Sequence, residues 1–279
     1  MHEILIKVLN IVILIFLVST MFSTGLSLTL RQILAPLRNV RLVITSIAAN
    51  YILVPMIAIA VTRLIPLEEP LKIGLILFSM AAGAEAGPKL AGMAKGNVAF
   101  AVGLLIAQLC ITIIYIPVVI SLLLPEVRID TGKLIIKLVT GVCLPLASGL
   151  FLKARYEAIA DRISPSMHLI STIFMMLMAA MLIFLNITEI LKLANSGAIP
   201  AALIFIASSF LAGYLLGGPG QDNRRALGLM SGARNASISL VIASQVFNDP
   251  KVLLMITATV ILMLIVLLPT ALWFGRRAV

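Results

Sequence analysis

Three charged side chains, Glu85, Lys89 and Arg234, stand inside stretches that are otherwise apolar enough for a membrane interior. Glu85 and Lys89 fall in Ser79-Met-Ala-Ala-Gly83-Ala-Glu85-Ala-Gly87-Pro88-Lys89, and Arg234 in Met230-Ser231-Gly232-Ala233-Arg234-Asn235-Ala236-Ser237. A charge at the bilayer centre costs about 2.5–3.5 kcal/mol on insertion scales, so each of the three needs a partner or a ligand. Two chemistries fit. In one, Arg234 pairs with Glu85 as a structural ion pair. In the other, Glu85 exchanges a proton, or Arg234 and Lys89 hold an anionic substrate. Lys89 has a further option, since its long stem can snorkel toward the surface marked by Lys95.

The residues around these charges break helices. Gly83, Gly87 and Gly232 permit an interruption, and Pro88, which has no backbone donor, suits the first turn of a following half-helix. Broken backbone at membrane depth is tolerated only where it lines a cavity or is buried against protein. Interruptions in both halves of a chain point to a transporter's binding site. The carbonyls near Ser231 and Ala233 are candidate oxygen donors there, and Asn235 is suited to satisfying the broken backbone of the opposite helix. Asn50, Gln108 and Asn186 are isolated polar residues in spans and read as interhelical hydrogen bonds, with ligand contact the rival role. Thr29 and Ser237 are small hydroxyls of the kind that pack into helix interfaces. His168 reads as interface packing, and Met175, Met176 and Met178 as core or lipid-facing filler. Cys110 and Cys143 have no metal-ligand spacing, and no metal site or cofactor is expected.

The elements that carry these residues follow from the composition. Of 279 residues, 61% are hydrophobic and 11% charged, and the mean hydropathy is +1.16, which excludes a soluble globular domain. The formal net charge of +10 fits Lys/Arg-rich cytoplasmic loops, not nucleic acid. Apolar runs long enough to cross a hydrocarbon core of roughly 30 Å recur from end to end. They predict an all-α polytopic protein of about nine spans: 4–24, 40–62, 71–93 (broken), 99–124, 133–152, 165–188, 197–217, 224–246 (broken) and 252–274. The first run is expected to be a retained span and not a cleaved signal. Arg31, Arg38, Arg41, Lys95, Lys153, Arg155, Arg162, Arg224, Arg225, Arg276 and Arg277 fall on one side. The other side collects fewer: Lys7, Arg63, Lys72, Arg128, Lys133, Lys137, Lys192 and Lys251. The positive-inside rule then puts the C-terminus in the cytoplasm and the N-terminus outside, in a membrane such as a prokaryotic inner membrane.

An internal duplication is expected. Leu26-Ser-Leu-Thr29 echoes Leu185-Asn-Ile-Thr188, and each precedes a link, a span and a broken span. With this topology the halves would be inverted copies. Four motifs in matching order then resemble the bile acid:sodium symporter family over roughly residues 20–275. Gly25-Leu-Ser-Leu-Thr29-Leu is like its G-x-x-L-T-L, and Asn50-Tyr-Ile-Leu-Val-Pro55 resembles its Q-[FY]-x-x-M-P. Residues 81–97 are similar to its C-P-G-G-T-x-S-N followed by L-A-[RK]-G-[ND], and Gly232-Ala-Arg234-Asn235 to its G-M-Q-N. The resemblance implies a panel domain, approximately 1–35 and 133–190. It implies a core domain, approximately 36–124 and 195–279, in which the broken helices cross. Substrate would lie in the crevice between them, and the family moves organic anions with sodium.

The departures from that pattern bear on the coupling ion. Sodium-coordinating oxygens of the first broken helix fall on Gly87 and Pro88, and two hydroxyls of the next span on Ala101 and Leu105. A Glu and a Gln of the second broken helix fall on Met230 and Arg234, and the Gln of the second motif is the shorter Asn50. A hard cation wants an oxygen shell, so sodium coupling of the family's kind is not expected. The expectation is a secondary transporter of a small organic anion in a lipid bilayer, coupled to protons or to no ion. A cation/proton antiporter-like carrier and a non-transporting sensor or scaffold are the alternatives. No HExxH, GxSxG or paired-Asp pattern favours an enzyme.

Overall fold

The computed structural model describes residues 2–29, 31, 33, 39–123, 131–185, 196–247 and 249–277. Asn186 and most of the Leu185–Thr188 echo lie outside the described residues. Those described are helical, with no strand among them. We number the helices α1 (His2–Ser27), α2 (Val40–Ala48 and Val54–Leu64), α3 (Glu69–Met80), α4 (Gly87–Met93), α5 (Val98–Leu123) and α6 (Thr131–Leu138 and Leu144–Arg155). The rest are α7 (Glu157–Leu185), α8 (Ala198–Leu216), α9 (Gln221–Gly232), α10 (Ala236–Val246) and α11 (Pro250–Arg276).

Seven stretches among the described residues are long and apolar enough to cross a membrane: Lys7–Ser27, Val40–Leu64, Val98–Leu122, Gly132–Arg155, Ala198–Leu216, Gln221–Val246 and Pro250–Arg276. Seven is fewer than the nine expected; the other two expected spans fall on α7 and on the broken pair α3–α4, neither of which is among the seven. Large apolar side chains such as Ile11, Ile44, Leu122 and Phe184 remain exposed, as expected of surfaces that face lipid.

Prolines shape two of the helices. In α2 a π turn at Ala49–Leu53 precedes Pro55, and in α6 a π turn at Val139–Cys143 precedes Pro145. A proline ring collides with the carbonyl four residues earlier, and one residue of extra backbone relieves the clash without ending the helix. The turn in α2 presents Asn50 and Tyr51 to the interior, where both are buried.

Helices α1, α6 and α7 pack chiefly on one another, while α2–α5 and α8–α11 form a second group. Close approach within the first group depends on Gly25 and Gly149, since a Cβ on either would strike the backbone of the other helix. The two groups meet where α1 touches α10, α5 touches the first half of α6, and α7 touches α11.

Candidate functional site

Both interruptions are where the sequence places them, and they cross. Residues 81–86 separate α3 from α4, and residues 233–235 separate α9 from α10. Gly83 adopts φ +86°, a conformation that side-chain-bearing residues rarely take. Pro88 sits in the first turn of α4 as expected. Asn235 N–H donates to Ala81 O at 2.7 Å, and its Nδ2 donates to Gly83 O at 2.8 Å. Thr112 Oγ1 of α5 donates to Ala82 O at 3.2 Å, and Gly87 N–H to Ala84 O at 3.0 Å. Every carbonyl from 81 to 84 therefore has a donor, which is how a non-helical segment survives away from water. Asn235 also caps α10 by accepting from Ile238 N–H at 2.9 Å. Two of these bonds, to Ala81 O and Gly83 O, go to the broken backbone of the opposite helix, and the third caps its own.

Arg234 is 1% exposed and ranks among the largest fully buried side chains of the molecule. Its Nη2 donates to Asn50 Oδ1 at 2.6 Å and to Ser231 O, and its Nη1 to Ser79 O at 3.4 Å. Ser79 lies in the last turn of α3 and Ser231 in the last turn of α9. The guanidinium therefore sits where the negative ends of two half-helices converge, and it takes up carbonyls that their termini leave without intrahelical partners.

The expected ion pair between Arg234 and Glu85 does not form. Ala233 and Asn235 are both extended, so successive side chains leave this segment on opposite sides. Arg234 turns toward α2 and the helix ends, and Asn235 toward the first break. Glu85 Oε1 instead accepts from Asn235 Nδ2 at 2.9 Å and from Ser237 Oγ at 3.2 Å. Asn50 makes its expected interhelical bond, to Arg234. The Gln108 side chain does not: both amide atoms are buried without a partner among the described residues. Its backbone carbonyl makes the contact in its place, accepting from Tyr51 Oη at 2.5 Å. Thr29 follows the end of α1 and does not line the crevice described next.

Glu85 and Lys89 face a crevice between α1 and α7 on one side and the crossing on the other. It comprises two adjoining cavities of about 180 and 280 Å³, and Thr20, Glu85, Lys89, His168 and Ser171 line both. Arg234 contributes to the wall of the larger one, together with Met263 and Leu264 of α11. Lys89 does not turn away to the surface; its Nζ lies 3.0 Å from His168 Nε2, a contact from α4 to α7. His168, expected as packing, is exposed on the crevice. Sequence reasoning also missed the hydroxyls of α1. Thr20, Ser23, Thr24 and Ser27 recur at helical spacing on an otherwise apolar helix, and His168, Ser171 and Thr172 do so on α7. That stripe was the available signal. Thr20 and Ser171 hydroxyls stand 2.5 Å apart, so the two stripes meet.

At the positions where the resemblance expects sodium ligands, the side chains do not fit a cation. Ala101, Leu105 and Met230 are buried apolar residues, and the Met230 sulfur packs directly over Gly87 where a Cβ would be. Of the acceptors that remain, Asn50 Oδ1 and Ser231 O are occupied by the guanidinium, and Asn235 Oδ1 accepts from Ser237 Oγ and Ile238 N–H. Among the described residues no group of three or more His, Cys, Asp or Glu could hold a metal ion.

Comparison with known proteins gives a consistent picture. A model described as the Sodium Bile acid symporter family matches residues 14–193. The probable sodium/metabolite cotransporter BASS2, chloroplastic, of Oryza sativa subsp. japonica is 29% identical over 238 residues, which cover 83% of this chain and 56% of that protein. The probable sodium/metabolite cotransporter BASS1, chloroplastic, of Arabidopsis thaliana is 26% identical over 235 residues, covering 83% and 58%. The uncharacterized sodium-dependent transporter YocS of Bacillus subtilis (strain 168) is 23% identical over 242 residues, covering 84% and 74%. The chain thus spans little more than half the length of the chloroplast proteins that it matches.

Proposed function

The chain belongs to the sodium bile acid symporter family, and from that premise we propose that it is a secondary carrier of a small organic anion that works by alternating access without sodium. In this reading α1, α6 and α7 form the panel and the remaining helices the core. The crevice between them is the binding site, and the Lys89–His168 contact is one that must break and re-form as the two bodies move. The driving force is then the substrate's own gradient or a proton.

The observation that carries the sodium-independent part is the position of the Arg234 guanidinium. It donates to Asn50 Oδ1, Ser231 O and Ser79 O, acceptors of the kind a hard cation would take. A covalently tethered cation fills that place permanently and cannot run down a gradient. It holds the crossing together as a bound ion would, but it transfers no energy from one side of the membrane to the other.

The test is thermal. A ligand that binds only the folded state raises stability by RT ln(1 + [L]/Kd). Purified protein should melt at the same temperature in sodium and in potassium chloride of equal ionic strength. Arg234→Gln should melt lower and should gain a saturable sodium-specific stabilisation, because acceptors are then freed for an ion. Saturable stabilisation of the unaltered protein by sodium would show that it binds the ion after all.

A further inference from the structure

We propose that the crevice takes a small zwitterion of amino-acid size, with its carboxylate on Lys89 and His168 and its cationic nitrogen on Glu85. This rests on the alternating-access carrier reading above and revises its substrate, from a simple organic anion to a carboxylate that also bears a cationic nitrogen.

The argument begins from two opposite charges that share a cavity and do not pair. Glu85 and Lys89 both line the crevice, yet among the described residues neither makes an ion pair with the other or with any third group. Their spacing would allow contact if both stood on one continuous helix. The break prevents it, because Glu85 lies in the turn before α4 and Lys89 in the first turn of α4. Each is then oriented by neutral partners. Asn235 Nδ2 and Ser237 Oγ hold the carboxylate of Glu85 at 2.9 and 3.2 Å. His168 Nε2 holds the ammonium of Lys89 at 3.0 Å. Hydrogen bonds to neutral groups fix direction and leave the charge itself uncompensated.

A crevice walled by protein and lipid strengthens every electrostatic interaction relative to bulk water. A simple anion placed there gains from Lys89 but is repelled by Glu85, and a simple cation meets the reverse. A molecule carrying both signs satisfies both residues and leaves neither stranded. Size agrees with this. The larger cavity, near 280 Å³, is lined by both Glu85 and Lys89, so a molecule of amino-acid size can reach the two charges from within it. The paired hydroxyls of Thr20 and Ser171 add neutral donors and acceptors for the carboxylate end. Arg234 is assigned no part in this recognition, because its Nη1 and Nη2 are taken up by Asn50, Ser79 and Ser231; its Nε is buried without a partner among the described residues.

The experiment uses the full-length protein in proteoliposomes and in detergent. The probes are the standard L-amino acids, the 2-oxo acids with the same side chains, and the amines left by decarboxylation. At least one amino acid should be taken up and should raise the melting temperature. Its 2-oxo acid and its amine should each need at least about tenfold higher concentration, since like-charge juxtaposition is costly. Glu85→Gln, which keeps the acceptor for Asn235 and Ser237, should reduce the preference for amino acid over oxo acid to within about threefold. Lys89→Gln should weaken both. Where a variant fails to fold, the comparison of amino acid with oxo acid on the unaltered protein decides alone. Uptake of 2-oxo acids with no preference for the amino acid overturns the zwitterion and leaves the carrier standing. No uptake of any class by protein that still melts cooperatively overturns the carrier reading itself.

Discussion

The crossing has two sides, and they treat charge in opposite ways. On the interior side Arg234 is fully buried and is held by three oxygen acceptors drawn from three different helices. On the crevice side Glu85 is half-buried, Lys89 is exposed, and each is steered by neutral groups alone. The adjacent residues 234 and 235 divide the work, since the extended backbone sends one side chain to each side. Charge on the interior side is fully buried and tied by three neutral acceptors to helix ends and α2, which makes it structural, although its Nε has no partner among the described residues. Charge on the crevice side is also held by neutral groups but stands open to a cavity, which is the condition a ligand requires. A single type of residue, an ionisable group at membrane depth, thus carries two meanings, and its hydrogen-bond partners tell them apart.

The largest effect that would break this contrast is expected at Arg234. Arg234→Met removes the donor to Asn50 Oδ1, Ser231 O and Ser79 O together. A buried acceptor left without a partner costs about 1–3 kcal/mol, so the combined loss should reach about 3–5 kcal/mol after partial relaxation. Lys89→Ala, on the crevice side, should change stability by no more than about 0.5 kcal/mol, as is usual for exposed positions. Melting of the two variants in detergent measures the contrast directly. Equal losses would show that Lys89 is as structural as Arg234.

An intermediate effect is expected at Asn235, which belongs to both sides. Asn235→Ala deletes the cap on α10, worth about 0.5–2 kcal/mol. It also strips Gly83 O of a donor and frees Glu85 to turn. The expected loss is about 2–3 kcal/mol, smaller than for Arg234→Met because Asn235 N–H still donates to Ala81 O. Substrate affinity should fall as well, by more than the melting loss predicts, since Glu85 loses its orientation. A variant that melts lower but binds as before would separate the two roles and assign Asn235 to the scaffold alone.

Most of the scaffold was legible in the sequence because the bilayer enforces it. Apolar length locates spans, and Gly83, Pro88 and Gly232 locate breaks, with boundaries that differ from the observed helices by a few residues, save the start of α7 at Glu157 against an expected 165. The site was less legible. Sequence shows that Glu85 and Arg234 are anomalous, but not that the backbone at 233–235 is extended, and that one fact decides their partners. The pairing of opposite charges was the natural expectation, and it failed because carbonyls at helix ends do not appear in a sequence as acceptors. His168 and the hydroxyls of α1 were missed for another reason. Singly each is unremarkable in a membrane helix, and only their common face, seen against Lys89, gives them significance.

The smallest effect is expected at Gln108, and it sharpens the claim that the interior side is structural and takes no ligand. Gln108 is fully buried on α5, and neither amide atom finds a partner among the described residues. Its backbone carbonyl already serves Tyr51, whose hydroxyl also meets Thr112 at 2.8 Å, so that link does not depend on the side chain. A buried amide without partners is a cost and not a support, and an apolar residue of like volume should replace it with little penalty. Gln108→Leu should therefore change stability by less than about 1 kcal/mol, and raise it if anything, with transport unchanged. Tyr51→Phe is the companion measurement, because it removes a hydroxyl that does bond and should cost about 1–2 kcal/mol. If Gln108→Leu instead cost more than Tyr51→Phe, the amide would have a partner of its own on the interior side. Polar recognition would then extend behind the crossing, and the division between a closed structural face and an open binding face would fail at this residue.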